Sequence, residues 1–364
     1  MGQKAMKSSN TNTIAVLGSH SALEVCFGAK KLGFTTLVVV EKGRDKTYAK
    51  YFKSIVDEVL YVDKFKDLLT EKVQKILQEK NCIFIPHRSF EVYLNDYDAI
   101  ENNFKIPMFG NRKLLRAEER SVKPNQYDIL QKAGIKFPKR FDKPEDIDRL
   151  VIVKVLEKQR GFERAFFLAS SYKEYQSNSE QLLKTEKITK DALEKAIIEE
   201  YILGVQVNFN FFYSPLSKKL ELIGTDTRRQ TNFDGVLRLP HFEQSEVLKS
   251  INISYEEAGH IAVTVLESLL EQAFDIGEKF VAATKEMFPP GVIGPFGLQT
   301  EITAGPPKKD IIVFDVAPRM PGSPGIAATP YSSYLYGKPV SMGERVAMEI
   351  KEAIEKNQIE KITT

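Results

Sequence analysis

The sequence predicts an α/β fold, α+β overall: a parallel sheet with helices on both faces, followed by a larger part built on antiparallel hairpins. Strand-like and helix-like apolar patterns alternate through residues 13–90, which implies parallel strands joined by crossover helices. Further on, segments of period-two alternation are paired around turns, at 205–224 and 294–316, as antiparallel hairpins are. At 364 residues the chain is also long for a single core, so two or three packed units are expected.

The first strand is Thr13-Ile-Ala-Val-Leu17, apolar after its first residue and ending in Gly18-Ser-His-Ser21. A helix follows, with Ala22, Val25, Cys26 and Ala29 on one face and Gly33 as its stop. Residues 35–40 form the next buried strand before a turn at Gly43, and Cys82-Ile-Phe-Ile-Pro86 forms another. Ligands collect at the carboxyl ends of strands in such sheets, which marks the loops 18–21 and 87–90. A charge-dense stretch at 112–134 reads as helical, and Pro138 and Pro144 punctuate the entry to a second unit. There Val151-Ile-Val-Lys154 is a short buried strand ending in lysine. Ala196-Ile-Ile-Glu-Glu-Tyr-Ile202, closed by Gly204, reads as a strand or a helix-to-strand edge. Residues 205–213 alternate, 214–219 turn and 220–224 return as a hairpin. The stretches 261–270 and 275–287 read as amphipathic helices, and 343–356 as a final one.

Composition excludes several function classes. A formal net charge of +3, with no dense Lys/Arg block among aromatics, argues against a nucleic-acid binder. The two cysteines, Cys26 and Cys82, have neither metal-type nor CxxC spacing, so a disulfide framework and a structural zinc are both disfavoured. Four histidines are too few for a histidine-rich metal centre. No apolar stretch is long enough for a bilayer span, and the polar N-terminus lacks a signal-peptide core. A cytoplasmic protein without a membrane partner is expected.

The last third carries the most chemistry. Gly294-Pro-Phe-Gly-Leu-Gln-Thr-Glu301 and Ile311-Ile-Val-Phe-Asp-Val316 flank a turn at 304–309, and an Ala-Pro-Arg ends at Arg319. Folded as a hairpin centred near Pro307, this places Gln299 opposite Asp315, with Glu301 on the face of Gln299. Oxygen donors gathered on one sheet face beside an arginine suit Mg²⁺ held between protein and nucleotide phosphates. Gly18-Ser-His-Ser21, between a strand and a helix, suits a phosphate cradle or an ordinary strand-to-helix turn; it is not GxGxxG. Pro86-His-Arg-Ser-Phe90 offers polar groups at the same sheet edge. Lys154 stands before the loop Gln159-Arg-Gly-Phe-Glu-Arg164, either as a grip on ATP phosphates or as a solvated edge lysine. In Thr225-Asp-Thr-Arg-Arg-Gln230 the adjacent arginines point to opposite faces of a strand, or the segment is a polar surface loop.

Taken together these segments resemble the ATP-grasp superfamily, and within it the archaeal formate-dependent FAICAR synthetases (formate–phosphoribosylaminoimidazolecarboxamide ligases). The resemblance runs nearly end to end. It includes Leu17-Gly-Ser-His-Ser21, Pro107-Met-Phe-Gly-Asn-Arg112, Glu199-Glu-Tyr201, Phe212-Tyr-Ser-Pro-Leu216, Asn232-Phe-Asp-Gly235, Glu267-Ser-Leu-Leu270, Gly294-Pro-Phe296 and Ser341-Met-Gly343. It implies an ATP-grasp fold: a Rossmann-like N-terminal domain over 1–118, a small ATP-grasp subdomain over 119–200 and a large one with the metal hairpin over 201–364. It implies an enzyme of purine (IMP) biosynthesis that makes formyl phosphate from formate and ATP. The amine of AICAR then attacks, giving FAICAR, ADP and phosphate. By resemblance His20, Ser89 and His260 contact AICAR. Lys154, Glu199, Glu200, Tyr201 and Gln230 line the ATP cleft. Gln299 and Asp315 match the pair that holds Mg²⁺ or Mn²⁺, to which the hairpin face adds Glu301 as a supplement, while Arg319 and Lys154 are the catalytic cations. A homo-oligomer is also implied.

The chain departs from the family pattern at several of these positions. Residues 155–170 keep one glycine, Gly161, where the family has a glycine-rich loop. Arg160 and Arg164 are therefore expected to supply the donors that glycine backbone would otherwise offer. Gln230 replaces a glutamate, His260 an asparagine, Asp315 a glutamate, and Gly325 aligns near an asparagine. Three readings stand on the sequence: the family's own ligase, a catalytically weakened paralogue that binds a purine nucleotide, or an ATP-grasp ligase for another carboxylate and amine.

Overall fold

A computed structural model describes residues 12–120, 122–155, 166–251, 253, 257–305 and 307–364. Its first sheet contains β1 (Thr13–Leu17), β2 (Thr35–Glu41), β3 (Glu58–Val62) and β4 (Cys82–Phe84), all parallel, in the order β3-β2-β1-β4. The near-continuous apolar runs of β1 and β2 are buried on both faces, as a helix-covered parallel sheet requires. The helix Ala22–Lys31 lies where its apolar spacing placed it, and Gly33 ends it with φ +86°.

A second sheet is antiparallel: β5 (Arg140–Phe141), β6 (Val151–Lys154), β7 (Phe166–Ala169) and β8 (Ile197–Glu200), in the order β5-β8-β6-β7. The third contains β9 (Val205–Ser214), β10 (Lys219–Arg229), β11 (Gly259–Ala262), β12 (Gly294–Thr303) and β13 (Asp310–Ala317), in the order β11-β10-β9-β12-β13. Alternation gives this sheet two unlike faces. One buries Phe209, Phe211, Phe296, Leu298 and Val313 beneath Ala273, Ile276 and Phe280 of the helix Leu270–Met287. Phe296 stacks between Phe211 and Phe280, with centroids 5.4 and 5.0 Å away. Each such phenylalanine contributes roughly 1.5–3 kcal/mol by burial. The other face carries Asn208, Asn210 and Gln299, while Phe212 further along it packs into a separate core with Phe109 and Met342.

The chain's end returns to its beginning. The helix Met342–Glu355, capped by Ser341, lies against the helix Ala22–Lys31 at a glycine crossing. A Cβ on Gly28 would stand 2.2 Å from the carbonyl carbon of Gly343, so only glycine fits there. Glu24 accepts from the N–H groups of Met342 and Gly343, at 3.0 and 3.4 Å, and burial pushes its carboxyl up to about 7. Residues Thr363 and Thr364 pair with Phe109 and Met108 beside the parallel sheet.

Two expectations are corrected. The stretch 112–134 is not one helix but the helix Arg112–Leu115, a 3₁₀ turn Arg116–Glu118, and the helix Gln126–Lys132. Pro124 cannot donate to a helix ladder, and Asn125 starts a new one through a capping box with Asp128. The stretch 261–270 is β11 followed by a 3₁₀ turn Glu267–Leu269. Its Ile261, Val263 and Val265 follow a two-residue period, which outweighs the helical spacing. At 196–202 the strand alternative is the one found, as β8. Among the described residues, no helix is long and apolar enough to cross a membrane.

Candidate functional site

The polar face of the large sheet carries a row of directly opposed residues across four strands: Asp226 on β10, Asn208 on β9, Gln299 on β12 and Asp315 on β13. The hairpin register predicted from the sequence, Gln299 opposite Asp315, is the one found. A β-bulge follows at once, so Glu301 faces Ile312 on one side and Gln206 on the other. Burial alone pushes the Glu301 carboxyl up to about 7.

At one end of the row, Asp226 is buried and accepts from the amides of Asn208 and Asn210, at 2.9 and 2.6 Å. It also faces His260, whose Nδ1 lies 2.5 Å from Oδ2. Ser323 Oγ lies 3.0 Å from the same ring nitrogen, and Glu257 3.1 Å from Nε2. Burial works against a charge on His260, but the two carboxylates outweigh it and push the imidazole up to about 9. His260 is therefore an imidazolium at neutral pH. Burial likewise disfavours the Asp226 anion, but His260 and the two amides hold its carboxyl below the usual range.

At the other end Asp315 meets an arginine, though not the one read from the sequence. The guanidinium on Asp315 is that of Arg120, with Nη2 2.6 Å from Oδ1. Arg319 instead donates to Glu118 at 2.7 and 3.1 Å and stands 3.5 Å from Glu91. Burial raises Asp315, yet Arg120, Arg228 and Lys154 together hold it below the ordinary carboxylate range. Arg120 Nε also donates to the Tyr127 hydroxyl at 3.1 Å, and that hydroxyl donates to Glu199 Oε2 at 2.7 Å. The other oxygen of Glu199 pairs with the ammonium of Lys154. One chain of contacts thus joins Asp315, Arg120, Tyr127, Glu199 and Lys154. Burial depresses Lys154, with Glu199 opposing.

The rest of the expected nucleotide set falls along β8 and its exit. Glu200 pairs with Arg149 at 3.1 Å, and its backbone N–H bonds Lys139 O. Tyr201 is half-exposed, and its N–H bonds Leu150 O. Both amides are engaged within the sheet, so neither is a spare donor for an adenine edge. Gln230 follows the last residue of β10. Arg160 and Arg164 lie outside the described residues.

The N-terminal loops close over the same region. His20 holds a left-handed backbone, φ +48°, and its ring stacks on His87 at 5.4 Å. Its Nδ1 lies 2.5 Å from Ser21 Oγ, which donates to Pro321 O at 2.6 Å. A Cβ on Gly322 would stand 2.7 Å from His20 Nε2, so the 321–323 turn passes close between His20 and His260. Burial, then the nearby Arg319, His87, His260 and Arg228, push His20 down to about 2, so it is a neutral ring. Ser89 Oγ donates to Ser19 Oγ at 3.0 Å on the same loop edge. His20, Ser89 and His260, expected to act together, thus lie on adjoining segments.

Arg120, Tyr127, Asn208 and Asp226 were not among the expected site residues. Asn208 and Asn210 alternate with phenylalanines in β9, a legible polar face. Arg120 sits in the charge-dense run Arg116-Ala-Glu-Glu-Arg120 and carries no such signal. Asn208 Oδ1 is buried without a hydrogen-bond partner and lies beside Gln299, while Asp315 supplies a carboxylate. Two amide oxygens and one carboxylate fit a hard divalent cation that takes its remaining ligands from phosphate. Among the described residues no group of three or more His, Cys, Asp or Glu could hold a metal without such help.

Residues 174–364 match a family model described as a domain of unknown function (DUF1297), and residues 14–141 one described as a protein of unknown function (DUF1246). The 5-formaminoimidazole-4-carboxamide-1-(beta)-D-ribofuranosyl 5'-monophosphate synthetase of Methanocaldococcus jannaschii is 42% identical over 353 residues, covering 96% of this chain and 94% of that protein. The crystal structure of an IMP biosynthesis protein PurP from Thermococcus kodakaraensis superposes with a TM-score of 0.72 at 29% identity, covering 96% of this chain and 100% of that one. The biotin carboxylase domain of Hydrogenobacter thermophilus 2-oxoglutarate carboxylase, in complex with MgADP and bicarbonate, shares the fold at 15% identity. Its TM-score is 0.58, over 92% of this chain and 69% of that one.

Proposed function

Because the chain belongs to the 5-formaminoimidazole-4-carboxamide ribonucleotide (FAICAR) synthetase family of ATP-grasp ligases, we propose that it formylates AICAR with formate at the expense of ATP. The observation that carries the reading is the meeting of two sets of residues. The loop residues His20 and Ser89 of the unit 1–118 adjoin His260 on the same sheet face as Gln299 and Asp315. The unit 119–200 brings Lys154 to the far end of that face.

Each residue then has a role. The phosphoribosyl group of AICAR docks at His20 and Ser89, at the carboxyl ends of parallel strands, with its base toward His260. Lys154 leaves Glu199 for the ATP phosphates, and the segment 199–201 with Gln230 borders the nucleotide. Gln299 and Asp315, with Glu301 further along, would hold Mg²⁺, which neutralises charge on the transferring phosphoryl group. A formate oxygen attacks the γ-phosphorus, ADP leaves, and formyl phosphate forms. The AICAR amine attacks its carbonyl carbon, the nitrogen loses a proton and phosphate leaves with its oxygen. Arg319 and the His260 imidazolium supply positive charge beside the developing oxyanions.

The test is ADP release by the purified protein with Mg²⁺, ATP, formate and AICAR, omitting each in turn. The proposal expects full turnover only with all four. ADP release that ignores both formate and AICAR, or no release at all, overturns it.

A further inference from the structure

Arg120 occupies one oxygen of the carboxylate that the proposed metal pair depends on. It sits 2.6 Å from Asp315 Oδ1, and its side chain is largely buried. It is not a simple structural clamp, because its other contact leads away from the metal pair. Nε donates to the Tyr127 hydroxyl, one hydrogen bond from Glu199. Glu199 is itself occupied by Lys154, the lysine expected to leave for nucleotide phosphates. The two cations and two carboxylates balance as they stand. A divalent cation beside Asp315 would leave Arg120 as a like charge a few ångströms away, in a site with little water to screen it.

Resting on the ligase reading above, we infer that Arg120 is a resident counter-cation of Asp315, which makes metal binding depend on the nucleotide. Without nucleotide, Arg120 holds Asp315 and Lys154 holds Glu199. When nucleotide phosphates take Lys154, Glu199 is released as a partner for Arg120 through Tyr127, and Arg120 surrenders Asp315. Each of the four side-chain charges keeps an opposite charge in the exchange: Lys154 the phosphates, Asp315 the metal, and Arg120 and Glu199 each other across the Tyr127 hydroxyl. Metal alone, without phosphates, must displace Arg120 while Glu199 is still taken, and is therefore bound weakly. Arg120 acts through Asp315 and is a positioning residue.

The experiment is Mn²⁺ binding to the nucleotide-free protein, followed by the electron paramagnetic resonance signal of free Mn²⁺. Even with water-like screening, removing a unit charge about 5 Å from a divalent cation should tighten binding about tenfold. Arg120→Gln and Arg120→Met should each do so, with folding checked by circular dichroism melting. Arg120→Lys keeps the charge and should stay within about twofold of wild type, which a purely structural role does not predict. Asp315→Asn should abolish the site. If Asp315→Asn abolishes binding but the neutral Arg120 variants bind no tighter than wild type, the inference fails and the metal pair stands. If Asp315→Asn leaves binding intact, the metal assignment and the inference fail together.

Discussion

Replacing Asp226 by Asn should discharge His260. The ring is pushed up to about 9, from an ordinary 6.5, against the effect of its own burial, by the carboxylates of Asp226 and Glu257. That difference corresponds to about 3 kcal/mol favouring the imidazolium. Solvent reaches part of the ring, so the stabilisation realised is roughly 1–2 kcal/mol. The folded-state value lies above the unfolded one. The contribution is therefore fully present below 6.5 and is lost as pH rises through about 9. With four histidines in the chain, a His241→Gln background leaves three imidazoles to follow by proton NMR. His20 and His87 are pushed down to about 2 and 4, so only His260 should titrate above neutrality. In Asp226→Asn burial acts against Glu257 alone, and the upper titration should fall by at least about 1.5 pH units. AICAR affinity at neutral pH should fall with it. An unchanged titration near 9 in that variant would refute the account of how His260 is charged.

Other perturbations probe the frame. Gly28→Ala should cost about 3 kcal/mol or more in thermal melts, because its Cβ meets backbone of the opposing helix at 2.2 Å; a wild-type melting temperature contradicts that crossing. Glu24 binds its proton more tightly folded than unfolded, so wild-type stability should fall between pH 4.5 and about 7, by up to roughly 3 kcal/mol. Glu24→Gln should flatten that slope in urea titrations, and an unaltered slope counts against it. His20→Ala should weaken AICAR binding in calorimetry while ATP binding is retained, since the ring lies on the N-terminal loop edge away from Lys154; equal loss of both ligands would point to a folding role.

Much of this was legible because it follows short-range rules. The continuous apolar runs at Thr13 and Thr35 read as strands buried on both faces, and alternation with turn residues sets Gln299 against Asp315. The bulge after Gln299 did not follow, since it inserts Phe314 without any local signal in the alternation. The 112–134 stretch was misjudged because its charged residues favour helix while Pro124 and Asn125 decide where the helix begins. Arg319 is next to the hairpin in sequence but is not the guanidinium on Asp315; Arg120 reaches that carboxylate from 195 residues away. Sequence proximity carries no information about such a contact. The loops carrying His20 and Ser89 are legible as one sheet edge from the strand order, and the resemblance adds His260 from a distant segment.

In the proposed reaction formate is activated by phosphorylation before the amine attacks. Formate labelled with ¹⁸O in both oxygens tests it most directly, with phosphate and ADP analysed by mass spectrometry. Because a formate oxygen forms the bond to the γ-phosphorus and stays with it, phosphate carrying one ¹⁸O and unlabelled ADP are expected, only when protein, ATP, formate and AICAR are all present. Unlabelled phosphate accompanying FAICAR formation would contradict it.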